Sequence, residues 1–409
     1  MKSFRVGRLF GIPIELDLTF LLVLPLFAYV IGAQVGQWVG ILNDVLGAGL
    51  SAGVLTSTPT IAYGLGTVAA LGLFVGVVLH ELGHSLVARR YGVEIASIRL
   101  WIIGGIAQLT ELPEDWKKEL YIALAGPAVS IVLGVIAYAA FLVVGGIGGT
   151  VGVALSFLLG YLALMNLALA AFNLLPGFPM DGGRVLRALL ARDRPYARAT
   201  QIAARVGQGF AILLGLFGLF GGGGLFLVAI AFFIYIGASS EAQQTMMRAA
   251  FEGVTVRNVM TPAEAVDTVT RETTVAELVQ RMFTERHTGY PVIENGQVAG
   301  LVTLADAQSV PEIERDAYRV EDVMSTDLHT VGPDADAMDA IKRMQENGVG
   351  RLVVMDDEAF VGLLSRSDLM TALEIIRSSG SLSAGNDGIG AGRRSDPSES
   401  SDLDPRFDD

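Results

Sequence analysis

Cysteine is absent from the 409 residues, which excludes disulfides and any metal site built on thiolate. Charge is scarce as well. Lys, Arg, Asp and Glu make up 17% of the chain, against roughly 25% in soluble domains, so a large part of it does not face water. There are four histidines, and hence few candidates for imidazole chemistry. No basic face of the kind that binds nucleic acid is visible, and the formal net charge is −13. The N-terminal MKSFRVGRLFGIPIELD has neither a signal-peptide h-region nor a small-residue cleavage site, so the first hydrophobic run is expected to be retained.

What is present is apolar and unevenly charged. Hydrophobic residues make up 52% of the chain. Residues 1–250 carry a net charge of +3 and the remainder −16, which separates a slightly basic, membrane-like half from an acidic, soluble one. This acidity, with Arg outnumbering Lys, resembles proteins of salt-loving microbes. A hydrocarbon core near 30 Å takes about 20 apolar residues per helix. Six segments qualify: 15–34, 61–89, 120–144, 151–175, 201–220 and 224–240. The intervening stretches 35–60, 145–150 and 221–224 contain no Lys or Arg, and the basic residues of the other loops all fall on the opposite side. By the positive-inside rule the N-terminus and the whole acidic half face the cytoplasm. The fold expected is a polytopic α-helical protein with six transmembrane helices in the lipid bilayer of the cell membrane, followed by a soluble α/β region. Between the spans, VEIASIRLWIIGGIAQL (93–109) is rich in Ile and broken by Gly104 and Gly105. It reads as a strand or hairpin at the membrane surface, with which the strand-like FRVGRLFGIPIEL at the N-terminus can pair.

The run GVVLHELGHSLVARR sets two histidines four residues apart inside the second span. Residues i and i+4 share a helical face, so His80 and His84 can offer two imidazoles to one metal, with Glu81 beside them as a proton acceptor. Ionisable groups inside a span are costly and mark function by default. A catalytic zinc usually has a third protein ligand. His287 and His329 lie far away in the acidic half and read as ordinary residues there. Asp181 lies in FNLLPGFPMDGGRVLR, where Pro176, Gly177 and Pro179 must break the fourth helix. Two readings stand from the residues alone: Asp181 as third ligand, or PGFPMDGG as a plain loop at a helix end.

HELGH in a span followed by NLLPGFPMDGGRVLRA resembles the site-2 protease family of intramembrane zinc metalloproteases, over about residues 1–240. The resemblance implies that His80, His84 and Asp181 hold one Zn2+ per chain and that Glu81 is the catalytic base. It further implies that Asn173 stabilises an oxyanion or positions substrate, and that the substrate is a membrane-spanning protein. Gly104 and Gly105 are similar in place to that family's substrate-clamping strand, and they also read as an ordinary hairpin turn. AGPAVS (125–130) resembles a small-residue helix contact of the same family.

From Val254 onward the chain repeats itself with an offset of roughly 62 residues. The endings GLVTLAD and GLLSRSD resemble a tandem pair of CBS modules. That resemblance implies an adenine nucleotide, with Asp306 and Asp368 near ribose hydroxyls, Thr303 and Ser365 near phosphate, and Arg366 as a phosphate partner. A pair that serves only for homodimerisation fits the same pattern. The expected domains are an intramembrane protease at 1–245, CBS modules at 254–310 and 319–376, and a disordered acidic tail at 379–409. The leading expectation is an intramembrane zinc endopeptidase, acting in regulated intramembrane proteolysis under control of the CBS pair. A CBS-gated transporter or channel with a structural metal site is the alternative.

Overall fold

The computed structural model describes residues 3–101, 104–109 and 115–386, which fall into two units divided between Thr245 and Met246. The first unit starts with a hairpin of β1 (Ser3–Leu9) and β2 (Ile12–Asp17). Its turn residues Phe10 and Gly11 have φ of 50° and 84°, the pair of left-handed positions that a two-residue hairpin turn demands. Helices α1 (Phe20–Ala33), α2 (Val35–Leu46), α3 (Ala52–Leu55) and α4 (Pro59–Arg90) follow. The chain then returns as β3 (Ile95–Trp101), parallel to β2 with Ile14 opposite Ile98, and β4 (Gly104–Leu109) pairs antiparallel to β3. The N-terminal segment thus does pair with the Ile-rich one, in the order β1-β2-β3-β4.

The first expected span, 15–34, begins too early. Residues 15–17 belong to β2, and Asp17 ends that strand by accepting from the Thr19 amide at 3.0 Å and its hydroxyl at 2.9 Å. Helix α1 has 14 residues, about 21 Å, and α2 follows it at a bend of 68°. Much of the expected loop 35–60 is therefore helical. Val35, Val39 and Leu42 recur at helical spacing and are buried together with Leu55 and Phe157, an amphipathic period within a stretch too polar to read as a span.

The other expected spans correspond to α4, α5 (Trp116–Val144), α6 (Gly149–Asn173), α8 (Tyr196–Phe220) and α9 (Gly224–Phe251). Between α6 and α8 lies the shorter α7 (Asp181–Ala191). Among the described residues five helices are long and apolar enough to cross a membrane, or six if the bent α1–α2 pair counts as one. Thr58 caps α4 by accepting from the Ile61 amide, with Pro59 at its first position. Small residues let these helices approach closely. A Cβ on Gly83 would lie 2.9 Å from the Ala125 carbonyl, and one on Gly134 3.2 Å from the Ala163 carbonyl, so α4, α5 and α6 meet almost backbone to backbone.

The second unit contains α10 (Val256–Val259), β5 (Thr261–Pro262), α11 (Val275–Glu285), β6 (Gly289–Glu294), β7 (Gln297–Thr303), α12 (Leu304–Gln308), α13 (Val320–Val323), β8 (Thr330–Val331), α14 (Ala337–Glu346), β9 (Arg351–Asp356), β10 (Ala359–Ser365) and α15 (Arg366–Asn386). The repeat read from the sequence is a repeat in space. Val269 bridges Val292 in parallel, as Val331 does Val354. The repeats also interlock: β5 joins β10, and Ser325 bridges Leu301 in the matching place. Each repeat has its own core, one around Val275, Leu278, Tyr290 and Val302, the other around Ala337, Leu352, Val354 and Leu364. Helix α15 continues to Asn386, eight residues into the expected tail. The remainder of that tail, 387–409, lies outside the described residues.

Candidate metal centre

His80 and His84 stand one turn apart on α4, about 10–15 Å before its C-terminal end, and both are buried. Asp181 reaches them from the first residue of α7. The sequence dictates that placement. Pro176 and Pro179 end α6, and Gly177, Gly182 and Gly183 let the following loop fold flat. A Cβ on Gly182 would collide with the carbonyls of Leu174 and Leu175, and one on Gly183 with the Gly177–Phe178 backbone. Only glycine permits the turn that restarts the helix at Asp181.

Three ligand atoms converge. Asp181 Oδ2 lies 3.2 Å from His80 Nε2 and 3.1 Å from His84 Nε2, and the two Nε2 atoms are 3.2 Å apart. The zinc bond lengths of about 2.0–2.2 Å to nitrogen and oxygen give tetrahedral edges of about 3.3 Å, so the donor set and its spacing fit that ion. Both other ring nitrogens are tied back to α5. His84 Nδ1 donates to the Ile122 carbonyl at 2.7 Å, which leaves the Nε2 lone pair free, because a carbonyl only accepts. His80 Nδ1 is hydrogen-bonded to the Ser130 hydroxyl at 2.9 Å. Such outer partners fix ring orientation at metal sites. Among the described residues this trio is the one His/Asp/Glu group placed to hold a metal ion.

Helix α5 shapes this site in a way the sequence does not reveal. The small-residue contact expected at Gly126 lies against the histidines: a Cβ at that position would collide with His84 Nε2 and lie 2.7 Å from His80 Nε2. Ile122, Gly126 and Ser130 are spaced by four, one stripe facing the ligands. The AGPAVS motif carried that signal, but sequence alone does not say which face the stripe meets. Glu81 is half-buried on the same turn of α4 as the ligands. Asn173 is at the last position of α6 and half-buried, with Nδ2 donating to the Leu169 carbonyl at 3.0 Å. Gly104 and Gly105 open β4, opposite Trp101 and Leu100.

In the second unit a cavity of about 340 Å³ is lined by Thr303, Asp306, His329 and Arg351 among others. Thr303 and Asp306 form a capping box, with Asp306 Oδ2 accepting from the Thr303 amide at 2.8 Å and its hydroxyl at 2.6 Å. Ser365 and Asp368 repeat this geometry in the other module but lie outside the cavity lining. Arg366 donates to the Val349 carbonyl at 3.0 Å. His287 pairs with Asp267 at 3.2 Å. Arg351, not singled out from sequence, donates to the Thr288 hydroxyl at 2.5 Å, and burial pulls its guanidinium below the usual range.

Comparison with known proteins adds family to geometry. The sequence matches peptidase family M50 over residues 68–214 and the CBS domain over 256–310 and 320–375. A zinc metalloprotease of Methanocaldococcus jannaschii is 33% identical over 374 residues, covering 91% of this chain and 97% of that protein. Rip3 of Mycobacterium tuberculosis is 32% identical over 386 residues, covering 91% and 93%. Among solved structures, a site-2 protease from Methanocaldococcus jannaschii is 38% identical, covers 59% of this chain and 95% of that one, and superposes with a TM-score of 0.40.

Proposed function

The chain belongs to peptidase family M50, the site-2 protease family of metalloendopeptidases, and carries two CBS domains; from that premise we propose that His80, His84 and Asp181 hold one catalytic zinc ion and that the enzyme cuts membrane-spanning segments of its substrates. The observation that carries the proposal is the convergence of two Nε2 atoms and one carboxylate oxygen within 3.1–3.2 Å while both Nδ1 atoms are engaged on α5.

Zinc bound there supplies a Lewis acid and lowers the pKa of water at the site. Glu81 moves the proton, taking it from that water and returning it to the amine of the departing peptide. Asn173 donates its amide to the developing oxyanion once it releases the Leu169 carbonyl. A helical substrate has its backbone groups already paired, so it must unwind before it is cut. Strand β4 is the edge of its sheet among the described strands, and an extended peptide adds alongside it, with Gly104 and Gly105 presenting backbone unobstructed by side chains.

In the second unit, Asp306 receives the ribose hydroxyls of an adenine nucleotide in the cavity, and Arg351 its phosphate. The CBS pair thereby regulates the protease. The N-terminus and the second unit face the cytoplasm, as the distribution of basic residues supports.

The test compares native protein with Glu81→Gln, both in liposomes, against a panel of membrane-spanning peptides, with zinc content determined on the same samples. Zinc in both with cleavage only by native protein is expected. A folded native protein that takes up no zinc overturns the reading.

A further inference from the structure

Asp181 must be held at the histidine pair from a distant part of the chain. The side chains that anchor its helix are charged and outside the chemistry, Arg187 and Glu119 buried and Glu241 half-buried. Helix α7 carries Asp181 at its first residue and Arg187 six residues on. Arg187 is 1% exposed. Its Nε donates to Glu119 Oε1 at 2.7 Å and its Nη1 to Glu241 Oε1 at 2.6 Å, while Nη2 lies 2.5 Å from the same Glu119 oxygen. The Phe178 and Tyr196 rings each lie 4.8 Å from the guanidinium carbon, close enough for cation–π attraction. One buried cation thus joins α7 to α5 and α9.

The ion cluster is a costly arrangement. Glu119 is also 1% exposed, and its Oε2 has no hydrogen-bond partner among the described residues. Buried ion pairs are often no more stabilising than apolar residues of similar volume, so stability is a poor reason for one cation and two carboxylates here. Position is a better one. Along α5, Glu119, Ile122, Gly126 and Ser130 stand at i, i+3, i+7 and i+11, a single face. Ile122 orients His84, Ser130 orients His80, and Gly126 leaves the ligands room. Glu119 completes the stripe and grips the helix of the third ligand. The two halves of the site, far apart in sequence, share one reference surface.

We propose that Glu119, Arg187 and Glu241 are positioning residues that set Asp181 in register with His80 and His84, through α5 and α9. The proposal rests on the zinc reading above. It is tested on the full chain in detergent with Arg187→Lys, Glu241→Gln and, as a control, Leu42→Ala, whose core cluster contains none of the metal-site residues. Four quantities are read: zinc affinity by chelator competition, the cobalt(II) absorption spectrum, the kcat and KM for a membrane-spanning peptide, and the unfolding temperature. Arg187→Lys and Glu241→Gln are expected to weaken zinc binding by roughly 10- to 100-fold, to alter the cobalt spectrum and to lower kcat with KM unchanged. Leu42→Ala lowers the unfolding temperature while zinc affinity stays native. The proposal is overturned if the two charge variants keep native zinc affinity and kcat, or lose them only as Leu42→Ala does at equal destabilisation. Should Arg187→Lys fail to fold, Glu241→Gln decides alone, since it removes a charge and keeps the shape. Native protein that binds no zinc overturns the zinc reading itself, a result distinct from native binding with unaffected variants.

Discussion

Gly126 is the residue on which the metal centre has least tolerance. The ligands cannot retreat from an added methyl, because His84 is fixed by the Ile122 carbonyl and His80 by Ser130. Gly126→Ala is therefore expected to fold, since alanine favours helix, yet to lose zinc by 10-fold or more, read as zinc content after purification beside native protein. Native occupancy in that variant would show that the histidines move freely. Ser130→Ala acts more gently. It removes one orienting partner, and a loss of about 10-fold in zinc affinity is expected, given the usual 10- to 100-fold effect of such partners. The proposed ligands were legible in the sequence because histidine is so rare here and because Pro and Gly flank Asp181 so densely. Gly126 and Ser130 were not. Their role depends on which face of α5 meets α4, and a helix with apolar residues on all sides does not declare its inward face.

At the level of elements, the second unit offers a measurable coupling between α11 and β6. Tyr290, wholly buried on β6, donates its hydroxyl to Glu285 at 2.7 Å, and Arg281 adds a bond at 3.1 Å. Together, Tyr290 first, they hold the Glu285 carboxyl below the usual range. A carboxylate with a depressed folded pKa contributes stability above its unfolded pKa and loses it as pH falls through the folded one. Tyr290→Phe is thus expected to lower the unfolding temperature of this unit near pH 7, with the gap to native protein narrowing below about pH 4. A gap independent of pH would assign the effect to packing. Element boundaries were less legible in sequence than element types. Hydropathy alone ran the first span into β2, because Leu16 and Leu18 lead without a break into the apolar run of α1 and outweigh Glu15 and Asp17. It also read α2 as loop, because Gln37, Asn43 and Asp44 dilute a buried stripe of Val35, Val39 and Leu42. The long spans had no such ambiguity.

For the whole molecule, the division legible in charge, net +3 before residue 250 and −16 after it, coincides with a division of cores. The buried clusters around Val275 and Ala337 draw only on residues of the second unit, while those of the helical unit draw only on the first. Units with separate cores need not unfold in one step, and each has its own proposed ligand. Thermal unfolding in detergent is accordingly expected to resolve two transitions, each moved by one ligand. Chelation of zinc lowers the transition of the helical unit and leaves the other in place. AMP raises the transition of the CBS unit, since a ligand at 100 times its Kd stabilises the state that binds it by about 2.7 kcal/mol. Asp306→Ala abolishes the AMP shift without changing the response to chelator, because Asp306 lines the cavity of the second unit and takes no part in the metal centre. Intrinsic fluorescence weights the two steps differently, since all three Trp residues precede residue 246. A single transition moved by both ligands would mean that the units unfold together, and the separation of cores would then not be a separation of stability.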